Sequence, residues 1–266
     1  MQHHSDYTNN EVALNAIDDD NAFDNFKQNQ RFTNILEHVN YKQGIQYIAH
    51  IKLLTTMYGI EFENLLWNNY IDNDIIGNPT KFNYNEQLVS INNLKSYVIS
   101  PTTLRYICFG LQILNVIKKT GKQKVSIIEV GGGYGGQCKI LYDICLQFNI
   151  NIQKYTIIDL EHVSKLQNKY LTKLNVNNVV TLSNTNCLDM LDNEYDLFIS
   201  NYALGEFIPD IQDFYIDNVL SRCDKSFITW NTHPINPKLK NILINEEIPQ
   251  TGHAVFPNVI ITNKDN

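Results

Sequence analysis

The chain has 266 residues, 43% of them hydrophobic, and a formal charge of −7, with a sequence pI near 5.5. That length suits one large domain or one domain with a helical extension, and the acidic balance weighs against a protein built to grip phosphate backbones, so no nucleic-acid partner is expected. The five cysteines, Cys108, Cys138, Cys145, Cys187 and Cys223, contain no Cys-x-x-Cys pair. This argues against a disulfide framework or a zinc site and for free thiols in a reducing, cytoplasmic compartment. No stretch approaches the roughly 18 consecutive apolar residues of a membrane span, and the polar N-terminus lacks a signal-peptide core.

In chain order, residues 1–20 are polar, with the acidic run Asp18-Asp19-Asp20, and read as a mobile N-terminus. Residues 21–58 are helical in pattern: Phe23 and Phe26 share a face, Ile35, Leu36 and Val39 another, and Ile45, Ile48 and Ile51 follow at helical spacing. Gly44 is expected to separate two helices. Residues 60–99 are less periodic and hold the turn signal Gly77-Asn78-Pro79. Residues 21–99 as a whole are expected to form a helical cap or a dimerisation region, since such helices expose apolar faces unless something covers them. Ser100-Pro101 then opens a helix with an N-cap and a proline at the first helical position. Its buried stripe is Leu104, Ile107, Leu111, Leu114 and Ile117, it ends at Gly121, and the basic cluster Lys118 to Lys124 decorates its C-terminus.

From residue 100 to residue 266 the rhythm is that of one α/β domain. Strands are expected at Lys124–Val130, Tyr155–Asp159, Val179–Ser183, Tyr195–Asn201, Ser226–Asn231 and Val259–Thr262, with a partner for the last around Ile248–Thr251. Helices are expected at Gln137–Phe148, Leu160–Leu174 and Ile211–Leu220. Strands alternating with helices imply a doubly wound, mostly parallel, seven-stranded Rossmann-like sheet covered on both faces.

Between the first strand and its helix lies Gly131-Gly132-Gly133-Tyr134-Gly135-Gly136. Glycine lets the backbone turn sharply and lets a ligand approach without a Cβ clash. Gly131, Gly133 and Gly136 satisfy the dinucleotide pattern G-x-G-x-x-G, and Gly131, Gly133 and Gly135 after Glu129 satisfy the methyltransferase pattern E/D-x-G-x-G-x-G. Asp159, ending the second strand, suits the ribose of either cofactor. Three features favour S-adenosylmethionine. Glu129 places a carboxylate beside a cationic amino-acid moiety and would repel a pyrophosphate; too few strands follow for a separate catalytic domain; and the last strand pair resembles the antiparallel finish of class I methyltransferases. Glu129, Gly131, Gly133 and Gly135 are then expected at the methionine end, Asp159 at the ribose, Asn186 and Cys187 at the adenine, and Arg105 at the methionine carboxylate.

The segments Gly77-Asn78-Pro79, Ser100-Pro-Thr-Thr-Leu-Arg105-Tyr106, Ile128-Glu-Val-Gly-Gly-Gly-Tyr-Gly-Gly136, Tyr155-Thr-Ile-Ile-Asp159-Leu, Leu166-Gln167-Asn-Lys-Tyr170-Leu, Ser200-Asn-Tyr-Ala-Leu-Gly-Glu206-Phe and Thr251-Gly252-His253 resemble, in order and spacing, the sugar O-methyltransferase family. The resemblance runs over roughly residues 75–262 and departs from it at Asn201 to Gly205, where many relatives carry Ser or Thr in place of Asn or Gly. It implies methyl transfer from S-adenosylmethionine to a hydroxyl of a nucleotide-linked or glycan sugar; the alternatives are a class I methyltransferase acting on a non-sugar acceptor and a catalytically inactive methyltransferase fold that binds a partner. Such a displacement needs alignment and a base for the hydroxyl proton. Candidates at strand ends are His253, His233 and Glu206, the histidines because they titrate near neutrality. Glu206 and Asp210 form a carboxylate pair suited to Mg²⁺.

Overall fold

The computed structural model describes residues 4–185, 187–251 and 257–264. Short capped helices form the N-terminal third. Helix α1 (His4–Asp18) is followed by α2 (Asp20–Asn25), where the Asp19 carboxylate accepts from the Ala22 amide, and α3 (Gln30–Thr33), capped by Asn29. Helix α4 (Tyr41–Met57) opens with a reciprocal capping box between Asn40 and Gln43. Gly44 lies inside α4 and does not divide it: a Cβ there would collide with the Tyr84 phenol, so its small size lets Tyr84 pack against the helix. Next come α5 (Trp67–Ile71), the hairpin of β1 (Phe82–Asn83) and β2 (Val98–Ile99), α6 (Asn85–Leu88) between them, and α7 (Pro101–Lys119). The start of α7 is capped twice. Ser100 Oγ accepts from the Thr103 amide at 3.1 Å, and the buried Asp74 carboxylate accepts from the Ser100 amide at 2.6 Å, Ser100 Oγ at 2.8 Å and Thr103 Oγ1 at 2.7 Å. The free N–H groups of the helix therefore face an anion.

The α/β part runs β3 (Lys124–Val130), α8 (Gly136–Gln147), β4 (Asn151–Asp159), α9 (Glu161–Lys173), β5 (Val179–Ser183), β6 (Tyr195–Asn201), α10 (Ala203–Glu206), α11 (Pro209–Asn218), β7 (Cys223–Trp230), β8 (Ile242–Glu246) and β9 (Val259–Asn263). The sheet order is β5-β4-β3-β6-β7-β9-β8. All neighbours are parallel except β9, which is antiparallel to both β7 and β8. This is the expected seven-stranded, Rossmann-like sheet of the class I methyltransferase fold. The partner of β9 is Ile242–Glu246, several residues before the segment predicted from sequence. Ile248–Thr251 belongs instead to the connection that turns back toward β9, which contains the Ile248–Pro249 cis peptide.

Alternation along the strands divides the core in two. Ile127, Tyr155, Ile157, Leu197, Ile199 and Phe227 face α7, α8, α9 and the N-terminal helices, while Ile128, Val130, Ile158, Phe198, Ile228 and Trp230 face the α11 side. The first core is continuous from Val12 to Ile260, so residues 21–99 do not carry a separate core. Phe23, Phe26, Phe32, Tyr47, Ile48 and Ile51 are buried within the same chain, while Leu53, Met57, Ile75 and Val89 remain exposed. Residues 4–18, read from sequence as a tail, form a helix that packs along α9 and buries Val12, Ala13 and Ala16. No helix among the described residues is long and apolar enough to cross a membrane.

Candidate functional site

The glycine turn lies at the carboxyl end of β3, beside the point where the chain crosses from one half of the sheet to the other, the usual place for a ligand in such sheets. Gly131, Gly133 and Gly135 have φ of 76°, 57° and 95°, a region that side chains disfavour. At Gly131 a Cβ would also run into Ala203 at the start of α10. The turn is held by the Gly131 amide donating to Ile158 O at 2.9 Å and the Gly135 amide donating to Gly132 O at 3.0 Å. Ser200, fully buried, ties it to the next strand by donating to Val130 O at 2.9 Å while accepting from the Leu204 amide at 3.1 Å. Tyr134 points away from the sheet edge and is buried among Phe26, Phe32, Tyr106 and Tyr170. The Lys27 ammonium lies 4.2 Å over its ring and donates to Asn73 O at 2.7 Å. Burial lowers the Lys27 pKa to about 8.

Two carboxylates flank the turn. Glu129 is 1% exposed and accepts from the Tyr155 hydroxyl at 2.9 Å. Burial pushes its pKa up to about 7, against the Tyr155 hydrogen bond and with a further push from Asp159. Asp159, at the end of β4, accepts from Leu160 N and Gln167 Nε2, both at 2.9 Å, and from the amides of Gly132 and Gly133. Burial outweighs those bonds and raises its pKa to about 7 as well. Gln167 also donates to Gly133 O at 2.8 Å, so α9 fixes both the acid and the turn. Glu129 and Asp159 thus stand near the carboxyl ends of two neighbouring strands, and burial raises the pKa of each.

Arg105 is not a surface arginine. It is 3% exposed, its Nη2 donates to Leu36 O at 3.0 Å, and its guanidinium lies between the rings of Tyr106 and Tyr202 at 5.7 and 5.4 Å. Its Nε and Nη1 have no hydrogen-bond partner among the described residues. Leu36 roofs the turn: its Cδ1 is 3.3 Å from where a Cβ on Gly133 would stand. Leaving a buried donor without a partner costs roughly 1–3 kcal/mol, so the guanidinium has room for an acceptor that it does not find among the described residues.

The remaining sequence candidates are placed as follows. Cys187 is buried in the second core with its thiol toward Asn184 O, so its side chain packs there, and Asn186 lies outside the described residues. Glu206 accepts from Asn231 Nδ2 at 2.8 Å, which brings the ends of β6 and β7 together. His233 is half-buried in a tight turn, where its carbonyl accepts from the Trp230 indole at 2.6 Å. His253 lies outside the described residues. Asp210 is exposed in the first turn of α11, and no group of three or more His, Cys, Asp or Glu residues assembles among the described residues, so nothing supports the Mg²⁺ reading of Glu206 and Asp210.

One cluster had no local signal in the sequence. Tyr202 follows β6 with φ 70° and ψ −35°, a strained conformation for a bulky residue. Its hydroxyl donates to Glu247 Oε1 and lies 3.2 Å from Thr251 Oγ1. Glu247, 1% exposed, also accepts from Thr251 Oγ1 at 3.1 Å and Asn258 Nδ2 at 2.8 Å. The phenol of Tyr47 on α4 lies within electrostatic reach of Tyr202, Arg105 and Glu247. These residues come from four distant parts of the chain, and only their proximity marks them.

Two open grooves lie elsewhere. One of about 260 Å³ is lined by Tyr142, Leu146 and Asn149 to Ile152 at the amino edge of the sheet. One of about 540 Å³ runs between α11 and the β7–β8 side, past Ile216, Lys238 and Ile242. Neither has convergent buried polar groups, so chemistry rather than concavity locates the site here.

No family model and no curated protein matches the chain. Among solved structures, a Galdieria sulphuraria protein described as a sarcosine dimethylglycine methyltransferase matches at 18% identity and a TM-score of 0.38, over 48% of this chain and 47% of its own length. The magnesium protoporphyrin IX methyltransferase of Synechocystis PCC 6803 matches at 14% identity and a TM-score of 0.40, over 60% of this chain and 81% of its own. An rRNA methylase of Streptococcus thermophilus matches at 12% identity and a TM-score of 0.41, over 58% and 95%. The matches cover at most about three-fifths of this chain, and the fold assignment rests on the strand order and direction of the protein itself.

Proposed function

We propose that this protein is an S-adenosylmethionine-dependent O-methyltransferase acting on a hydroxyl of a nucleotide-linked or glycan sugar. The observation that carries the cofactor reading is the charge arrangement at the glycine turn. Gly131, Gly133 and Gly135 bend the backbone there, and Glu129 and Asp159, both raised to about 7, stand on either side. A sulfonium nucleoside with an ammonium group is drawn to such acids, whereas Glu129, once ionised, disfavours a dinucleotide pyrophosphate at the turn; Asp159 suits the ribose of either cofactor. Arg105, buried with two unmatched donors, suits the methionine carboxylate. Asp159 suits the ribose hydroxyls, since a carboxylate accepts from both.

The sulfonium supplies an activated methyl group with a neutral leaving group, so the protein's tasks are alignment, exclusion of water and acceptance of one proton. Leu36, Tyr106 and Tyr202 exclude water above the turn. The candidates for the base are Glu206 and His233, which follow β6 and β7, and His253, which lies outside the described residues. The sequence resemblance supports the sugar acceptor. Calorimetric titration tests the cofactor reading: S-adenosylhomocysteine should bind at micromolar concentration and NAD should not. Binding of NAD with no response to S-adenosylhomocysteine would overturn it.

A further inference from the structure

The sheet ends in two edge strands, β5 and β8. On β5, Leu182 is buried and its carbonyl accepts from Ser164 Oγ of α9 at 2.8 Å. The other edge, β8, reads Ile-Leu-Ile-Asn-Glu, with Leu243 46% and Ile244 48% exposed. Proteins that remain single protect such an edge with an inward charge, a proline or a bulge. β8 has no charge before its last residue, Glu246, and no proline, and its five pairs with β9 run without a shift in register.

The pairing with β9 determines which backbone groups lie open. Asn241 O accepts from the Lys264 amide at 2.8 Å, and the Glu247 amide donates to Asn258 O at 3.0 Å. Residues that bond to one neighbour alternate along an antiparallel strand. Asn241, Leu243, Asn245 and Glu247 therefore turn their amides and carbonyls toward β9, and Ile242, Ile244 and Glu246 turn theirs outward. A second copy related by a two-fold axis can extend the sheet only where outward residues meet outward residues, which centres the axis on Ile242, Leu243 or Ile244. Centred on Ile242, Lys240 faces Ile244 of the second copy. Centred on Ile244, Ile242 faces Glu246 and Leu243 faces Asn245. Centred on Leu243, Ile242 faces Ile244, Leu243 faces itself, Asn241 faces Asn245, and Lys240 stands beside Glu246, both of them exposed. That register alone sets apolar against apolar and cation against anion, and the symmetry repeats each match.

We propose that this protein forms a two-fold symmetric dimer in which β8 pairs antiparallel with β8 of a second copy, in the register centred on Leu243. The two sheets then run on as one. The inference does not depend on the methyl-transfer reading, because β6, β7 and β9 separate β8 from the strand that carries the glycine turn. Asn241, at φ 51°, turns the chain into β8, so the paired segment is short and the dimer dissociates at roughly 10–100 μM.

The test is sedimentation equilibrium of the full chain from about 1 to 300 μM, a range that brackets this dissociation. The mean mass should rise from 30.8 kDa toward twice that value. Ile244→Lys, at a half-exposed position, should remain a monomer throughout while keeping the wild-type circular-dichroism spectrum and thermal midpoint. Glu246→Lys puts like charges together and should weaken the dimer about tenfold. Adding Lys240→Glu to it should restore the wild-type constant, a rescue that a merely structural defect would not show. In this register Leu243 meets its own copy in a pair without hydrogen bonds, where Cα atoms come within about 4.5 Å, a span a disulfide can bridge. Leu243→Cys should therefore cross-link on mild oxidation and Asn245→Cys should not. A monomer at every concentration, a dimer that Ile244→Lys leaves intact, or equal cross-linking at 243 and 245 overturns the assignment.

Discussion

Glu129→Gln isolates the cost of the acid beneath the glycine turn. Burial raises the Glu129 pKa from 4.5 to about 7. The folded protein therefore binds that proton more tightly than the unfolded chain does. The sign follows: the stabilisation is complete below about pH 4.5 and is lost as pH rises through about 7. The shift corresponds to about 3.5 kcal/mol between the two limits, since each pKa unit is about 1.4 kcal/mol. Glutamine keeps the shape and an oxygen for the Tyr155 hydroxyl but does not titrate. Urea unfolding of wild type and variant at pH 5, 6, 7 and 8 gives the difference in stability at each pH. Groups not coupled to Glu129 titrate alike in both proteins and cancel; Asp159, which pushes the Glu129 pKa up, is coupled to it and broadens the change. The variant should gain relative to wild type by about 2.5 kcal/mol from pH 5 to pH 8, with most of the change between pH 5 and 7. A constant difference across that range would refute the claim that Glu129 carries its proton at neutrality in the folded protein.

The same acids predict proton release on cofactor binding. A bound cation favours ionised Glu129 and Asp159, so the affinity for S-adenosylhomocysteine should rise several-fold from pH 6 to pH 8, and calorimetry at pH 7 in buffers of different ionisation enthalpy should detect released protons. Arg105→Met removes the buried donors but keeps most of the apolar stem, and should weaken S-adenosylhomocysteine by roughly tenfold to a hundredfold while leaving the circular-dichroism spectrum unchanged. Asp74→Ala deletes the acceptor of three bonds at the start of α7 and should lower unfolding stability by about 2–4 kcal/mol, measured by urea titration at pH 7. Gly131→Ala meets both the positive φ and Ala203; it should cost about 2 kcal/mol or more and abolish cofactor binding, and a fully stable variant with normal affinity would show that the turn is not held as described.

Much of the architecture was legible in the chain because it depends on local periodicity. The strand at Lys124–Val130 and the helix opened by Ser100-Pro101 are where alternation and capping residues placed them. The glycine turn was visible because only glycine tolerates three positive φ values in five residues. The partner of β9 lies before Ile248–Thr251 because Pro249 has no amide to donate to a ladder, and the paired strand ends at Glu246. Gly44 was misread as a break because a glycine that admits Tyr84 looks, in one dimension, like a glycine that ends a helix.

The sequence by itself determined which residues alternate, which turn demands glycine, and therefore that an α/β sheet carries a ligand-accepting bend after its first strand. Tertiary structure alone decided that residues 4–99 share one core with that sheet, that Arg105 is buried between two tyrosines, and that Tyr47, Tyr202, Glu247 and Asn258 meet. The reason is physical. Helix and strand propensities act over a few residues, whereas the burial that raises a carboxylate's pKa or strands a guanidinium comes from segments separated by a hundred residues or more, and it appears only when the chain has folded.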